Sequence, residues 1–362
     1  MRLAILWEQW AGYLDACVRE LCARYPVELL RSHVRPNPDA PFRLEDFVAA
    51  QQVHMFETDP VERELVPLLD GFRPDALLIS SWHRPEYRRI ARAHAGRAVR
   101  ILAMDNQWHG TLKQWAGRLA APWYIQPLYD NAMVPGPRQR RFAGMLGFSD
   151  AAIIEPLLSC DVAKFEGAAY GPNLNPSARR FLFVGRLVEE KGIEPLIAAY
   201  RAYRAKVSES GGAPWGLLVA GTGPLRDVLS GVDGVDYRGF VQPTNLPALF
   251  GEATCFVLPS RFEPWGVVLH EAVCAGLPVI CSTACGASDQ FVVAGENGFV
   301  VEFGDVGALT DAMVRITELP PTALGSFYRR SRALSQKVSP KLFADAMWRR
   351  VQDFKPADLA GR

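Results

Sequence analysis

"RFLFVGRLVEEKGIEPLIAAYRAYRAKV" occupies residues 180–207. An apolar run stops at Gly185, a charged loop follows, and a periodic helix begins. Strand, loop and helix in that order are one half of a βαβ unit. The pattern continues downstream. "WGLLVAG" reads as a strand, "GPLRDVLSGV" as a helix, "VDYRGFV" as a strand, "NLPALFGEA" as a helix and "TCFVLPS" as a strand. The helix "EPWGVVLHEAVCAG", the strand "LPVICS", the turn "AGENGFVV" and the helix "DVGALTDAMVRIT" complete it. The same alternation stands upstream. "RLAILW", "VELLRSHV", "PDALLISSW", "VRILAMD" and "DAAIIEPLL" read as strands, with "YLDACVRELCARY" and "PEYRRIARAHAG" as helices. Alternation of this kind means parallel sheets covered by helices. Between the two series lies "YGPNLNPSARR", whose Pro, Asn, Gly and Ser content marks a linker.

The predicted fold is therefore α/β: two doubly wound, Rossmann-like domains facing across a cleft. Their expected bounds are 1–170 and 171–337, with a C-terminal helix in 338–362 that packs back on the first domain. The length of 362 residues suits two domains.

Composition narrows the function classes. Hydrophobic content of 49% and charged content of 22% are those of a globular protein. A net charge of +1 supplies no global field for nucleic acid. Arginine is clustered at Arg84, Arg88, Arg89, Arg92, Arg97 and Arg100, and again at Arg138, Arg140 and Arg141. These runs read as a solvated helix face and a loop, or as a surface for acidic lipid or polymer. No apolar run reaches the roughly 18–20 residues that span a bilayer. "MRLAILWEQW" reads as a strand rather than a signal peptide. The seven cysteines lack zinc-ligand spacing with histidine partners and read as reduced, mostly buried thiols. The expected location is the cytoplasm, with peripheral contact at the inner face of a membrane as an option.

In doubly wound folds ligands sit at the carboxyl ends of strands. Four strand ends of the second half are unusual. After Gly185, Arg186 and Lys191 share one loop. Arg offers a fork and Lys a point charge to a diphosphate, unless both pair with Glu189, Glu190 or Glu194. "VAGTGP" places Gly221 and Gly223 before a helix, as a phosphate contact or as a tight turn. "RGFV" puts Phe240 and Val241 at a strand end, where a base could stack. In "EPWGVVLHEAVCAGLPVI", Pro264 suits a first helical turn, which leaves the N–H groups of Trp265, Gly266, Val267 and Val268 free to meet an anion or hydroxyls. Glu263 stands at the mouth of that helix, as a ligand contact or as a capping carboxylate. Glu271 shares a helix face with Val267, Val268 and Ala275, with no basic residue three or four positions away. A pair of vicinal hydroxyls, as on a ribose, is its most economical partner. A distant arginine is the alternative.

"GRLVEEKG", "VAGTGP", "RGFV" and "EPWGVVLHEAVCAGLPVI", in this order and spacing, resemble the retaining glycosyltransferases of family 4, which have the GT-B fold. The likeness is close over about residues 180–315. It implies a nucleotide-sugar donor, UDP- or GDP-linked, bound mostly by the second half. Arg186 and Lys191 would hold the diphosphate and Glu271 the ribose. Phe240 and Val241 would border the base, and Glu263 would hold donor-sugar hydroxyls. The reaction would be metal-independent hexosyl transfer, with retention, to a hydroxyl acceptor such as a saccharide or lipid-linked saccharide. No cofactor is required. In the first half the resemblance is one of architecture. "WEQWAG" stands where relatives often carry a Gly-rich loop. Where many carry a histidine this chain has Asp105, with His109 four residues on and His83 as a rival. A sugar phosphorylase or epimerase on the same fold, or an inactive GT-B binding module, are the alternative functions.

Overall fold

The computed structural model describes residues 1–8, 10–33, 53–55, 61–167 and 179–354. The chain divides into two compact units, Met1–Cys160 with Val338–Arg362, and Asp161–Lys337. The linker expected at 170–180 lies, up to residue 178, outside the described residues.

The first unit is built on seven strands: β1 (Arg2–Trp7), β2 (Glu28–His33), β3 (Val53–Met55), β4 (Ala76–Ile79), β5 (Val99–Ala103), β6 (Asn131–Met133) and β7 (Ile153–Ile154). All neighbours pair in parallel, in the order β3-β2-β1-β4-β5-β6-β7. β1 beyond Arg2 and β4 are apolar without alternation and buried, because helices cover the sheet. Leu6, Ile79, Leu102, Val134 and Phe142 are buried in one core. The helix Pro340–Gln352 belongs to this unit and docks on the helix Gly12–Arg24. Trp348 stacks on Tyr25 with ring centroids 4.6 Å apart, and Tyr25 donates its hydroxyl to Asp345 at 2.8 Å.

The second unit has six parallel strands: β8 (Arg180–Val184), β9 (Gly216–Ala220), β10 (Val235–Gly239), β11 (Cys255–Leu258), β12 (Val279–Ser282) and β13 (Gly298–Val301). Their order is β10-β9-β8-β11-β12-β13. Phe181, Phe183, Tyr203, Leu217 and Val257 are buried in its core.

Several elements differ from the sequence reading. β3 and β6 are three residues each, too short to stand out as apolar runs. "DAAIIEPLL" forms a 3-10 turn and the two-residue β7 rather than a full strand. "GPLRDVLSGV" yields only the 3-10 segment Pro224–Leu229. "GFVV" pairs with β12 as an edge strand instead of ending in a turn. The helices Val61–Phe72 and Leu112–Tyr124 are additional.

In both sheets the first strand of the unit lies beside the fourth: β1 beside β4, and β8 beside β11. The chain leaves these neighbours in opposite directions, which opens a crevice at their carboxyl ends.

Candidate active site

The crevice of the second unit is bounded by the loops after β8 and β11. The two loops are stitched together by their backbones. Arg261 N–H donates to Glu190 O at 2.8 Å, and Phe262 N–H to the same oxygen at 3.2 Å. Gly192 closes the β8 loop with φ +71°, and a Cβ there would lie 2.1 Å from Pro259 O. Only glycine meets both demands.

This stitching brings two predicted site residues together. Lys191 Nζ donates to Glu263 Oε2 at 2.5 Å, and Ser260 Oγ adds a contact to the same oxygen at 3.4 Å. Lys191 therefore pairs with Glu263, and with none of its sequence neighbours Glu189, Glu190 or Glu194. Arg186 sits nearer solvent and reaches Glu190 at 3.5 Å. Glu189 instead takes Arg261.

The backbone beyond Glu263 departs from the sequence reading. The helix begins at Val267, not in the turn of Pro264, and its cap is Gly266 with φ +97°. Pro264, Trp265 and Gly266 form an irregular ledge instead. The ledge is fixed by Gly286 N–H donating to Glu263 O at 3.0 Å and Ala287 N–H to Trp265 O at 2.8 Å. Glu263 is therefore not a capping residue of this helix. Among the described residues, the N–H groups of Trp265, Gly266, Val267 and Val268 have no backbone acceptor.

Glu271 lies one turn into the helix. The residue is half-buried, and its carboxyl end is the part withdrawn from water. That burial, with Cys274 adding to it and Lys164 opposing it, pushes its pKa up to about 8. Among the described residues no lysine or arginine forms an ion pair with Glu271. The distant-arginine alternative thus finds no partner there.

"VAGTGP" packs against the β8 loop. Gly185 N–H donates to Ala220 O at 3.0 Å and Leu187 N–H to Thr222 O at 2.8 Å. A Cβ on Gly221 would fall 1.8 Å from Gly185 O, and one on Gly223 would fall 2.4 Å from Leu187 O. Close approach of two loops thus accounts for both glycines. Phe240 and Val241 follow β10 and are half-buried. Arg238 is turned away into an exposed ion pair with Asp236 and Glu252.

In the first unit, a cavity of about 320 Å³ opens at the β1/β4 crevice. Asp105 and His83 line it, together with Glu8, Tyr13 and Ser80. His83 Nε2 is 3.7 Å from Glu8 Oε1. Burial and the nearby Asp105 raise the Tyr13 hydroxyl above its ordinary range. His109 is not in this lining. It is exposed on the loop before the helix Leu112–Tyr124, where its backbone N–H donates to Gln114 Oε1 at 2.7 Å. Glu8 and Tyr13 went unnoticed in the sequence. Their only signal is position, just after β1 and at the start of the next helix.

Residues 178–318 match the model of the family "Glycosyl transferases group 1". The glycogen synthase of Mycobacterium tuberculosis is 32% identical over 198 residues, 53% of this chain and 44% of that protein. A GDP-mannose-dependent alpha-(1-6)-phosphatidylinositol monomannoside mannosyltransferase of the same species is 30% identical over 199 residues, 49% of this chain and 48% of that one. The matched regions thus span less than half the length of these curated relatives. Among solved structures, Anabaena Alr3699/HepE in complex with UDP and glucose has a TM-score of 0.72 at 16% identity, over 97% of this chain and 99% of that one. An Escherichia coli trehalose-6-phosphate structure bound with UDP-2-fluoro glucose has 0.74 at 13% identity, over 98% and 100%. These likenesses establish the GT-B architecture. The segment 178–318 is thus similar to the group 1 glycosyltransferases.

Proposed function

We propose that the protein transfers a hexosyl group from a UDP- or GDP-sugar to a hydroxyl acceptor, a saccharide or lipid-linked saccharide, with retention and without a metal ion. The observation that carries this reading is the Lys191–Glu263 pair at the β8/β11 crevice. It puts a cation and a carboxylate side by side where a doubly wound sheet takes a nucleotide. Two of the similar proteins support a nucleotide-sugar donor: the Anabaena structure holds UDP and glucose, and the mycobacterial mannosyltransferase is GDP-mannose-dependent.

In this proposal Arg186 and Lys191 face the diphosphate and Glu271 accepts hydrogen bonds from the ribose hydroxyls. Phe240 and Val241 border the base. Glu263 holds Lys191 and turns its second oxygen to the donor sugar, while the N–H groups of Trp265 to Val268 line sugar and phosphate. The anomeric C–O bond breaks toward the diphosphate, and the acceptor oxygen bonds to the anomeric carbon. The acceptor proton passes to a leaving-phosphate oxygen on the same face. Negative charge grows on the leaving group, and fixed cations and amides stabilise it there. Asp105, His109 and His83 are the candidates for a contact with the donor sugar from the first unit, and Asp105 and His83 share one cavity. We place the protein in the cytoplasm, in peripheral contact with a membrane.

The test is release of nucleoside diphosphate from UDP-glucose and GDP-mannose, with and without saccharide acceptors, in the presence of a chelator. Acceptor-dependent release that Lys191→Ala abolishes is the expected result. Proton NMR of the first-formed glycoside should show the donor's anomeric configuration. An inverted product, or no turnover of either donor, overturns the proposal.

A further inference from the structure

The helix Leu112–Tyr124 carries its apolar side chains outward. Leu112 is 88% exposed, Leu119 72% and Trp123 79%, and Trp115 is 46% exposed. At 100° per residue these four fall within one quarter of the helix wheel. Ala121, the one buried residue of the helix, points the opposite way. A helix on a globular protein normally does the reverse, burying its apolar stripe and showing water its polar one. Among the described residues nothing covers the stripe, and its size is of the kind that marks an interaction surface.

The charges around the stripe identify the partner. Lys113 stands on one flank and Arg118 on the other. Arg118 lies over the Trp115 ring at 5.2 Å, and Arg88 over the Tyr124 ring at 4.6 Å. Between Asp105 and Asp130 the sequence has no acidic residue. A second copy of this chain seated on the stripe would set the cations of one helix against the other, with no carboxylate on either helix to meet them. An anionic bilayer surface answers both features. Leu and Trp enter the headgroup boundary, and the cations on either side meet lipid phosphates.

We propose that the helix Leu112–Tyr124 lies in the plane of a membrane surface and binds anionic lipid through Leu112, Leu119 and Trp123 with Lys113 and Arg118. This gives the peripheral contact proposed above a definite surface, and rests on that reading to this extent only. It does not depend on the donor site.

The experiment is flotation of the full chain with vesicles of equal parts phosphatidylglycerol and phosphatidylcholine, and with phosphatidylcholine alone. The double variant L119E/W123E should lose binding to the anionic vesicles by at least about tenfold, since it replaces the inserted side chains by charges. Its melting temperature should match the parent's, because both side chains already face water. K113E/R118E should weaken binding to the anionic vesicles and leave the melting temperature unchanged. Binding of both variants equal to the parent's overturns the proposal. So does equal binding to the neutral vesicles. So does a dimer in solution that L119E/W123E dissolves, with no vesicle binding by the parent. No outcome depends on donor or acceptor, so a failure of the glycosyl-transfer reading leaves this result interpretable.

Discussion

Lys191 Nζ and Glu263 Oε2 are 2.5 Å apart although 72 positions separate them in the chain. Each belongs to a different strand-end loop, and both side chains are mostly withdrawn from water. The pair therefore links the two walls of the crevice. Removing one partner leaves the other withdrawn and uncompensated.

Lys191→Ala and Arg186→Ala should then behave differently. Lys191→Ala strands the Glu263 carboxylate and should cost about 1–3 kcal/mol of stability. Arg186 holds Glu190 in a more exposed pair four residues along the chain, and Arg186→Ala should change stability by no more than about 0.5 kcal/mol. Both should weaken a nucleoside diphosphate more than a nucleoside. Denaturant melts and calorimetry on the two variants check this. Equal loss of both ligands in either variant removes that cation from the diphosphate. K191A/E263Q should regain part of the stability lost in Lys191→Ala, because the stranded charge is gone.

Gly192→Ala probes the stitching itself. The new Cβ would meet Pro259 O at 2.1 Å from a backbone with φ +71°, so the β8 loop must move away from the β11 loop. We expect a stability loss of about 2–4 kcal/mol. We also expect weaker nucleotide binding in whatever folds, because Lys191 is the adjacent residue. A variant with parental melting temperature and nucleotide affinity would mean that the two loops do not depend on each other.

Glu263→Ala separates positioning from binding. Affinity for free nucleoside diphosphate should stay within about threefold, since Arg186 and Glu271 remain and Lys191 loses only a competitor. Turnover should fall by about a hundredfold or more, as the contacts that orient the donor sugar are lost. A thermal melt, nucleotide titration and initial rate on one preparation suffice. A parental rate in a less stable protein would make Glu263 a holder of Lys191 alone.

Much of this was legible in the sequence because parallel strands buried on both faces are continuous apolar runs. "RFLFV" and "CFVL" announce β8 and β11 with little ambiguity. A candidate site residue is legible where a charge interrupts an apolar helix, as with Glu271. The Lys191–Glu263 pair was not, since nothing local says that two loops so far apart in sequence become neighbours. Nor was the true start of the helix at Val267. Pro264 resembles a first-turn proline, but the bridge between Glu263 and Cys285 and the bonds to Gly286 and Ala287 hold that segment extended. Tertiary hydrogen bonds there overrode a local propensity. The outward stripe of the helix Leu112–Tyr124 shows the opposite limit. Periodicity locates an apolar face without telling whether protein or another phase covers it.

Glu271 offers a test through pH. Its folded pKa is raised to about 8 from an ordinary value of 4.5, chiefly by burial. A carboxyl with a raised folded pKa binds a proton more tightly in the folded state than in the unfolded one. Its contribution to stability is therefore greatest below pH 4.5, falls as pH rises from there to 8, and is level above. Glu271→Gln removes that slope. Without ligand the variant should match the parent near pH 5 and be more stable by a few kcal/mol at most near pH 8. A buried ion pair to a distant arginine predicts the reverse, a variant less stable at neutral pH. Ligand changes the balance. Two ribose hydroxyls donating to the carboxylate favour its charged form, so binding of a nucleotide sugar near pH 7 should release protons. A nucleotide sugar, with no phosphate group that titrates near neutrality, keeps the ligand out of the count. Calorimetry of UDP-glucose or GDP-mannose in buffers of different ionisation enthalpy measures the release. The parent should release a substantial fraction of one proton and Glu271→Gln should release less. The variant should also lose most of the parent's preference for a ribonucleotide over its deoxy analogue. Equal proton release from parent and variant would remove Glu271 from the ribose, and a variant destabilised at pH 8 without ligand would make it structural.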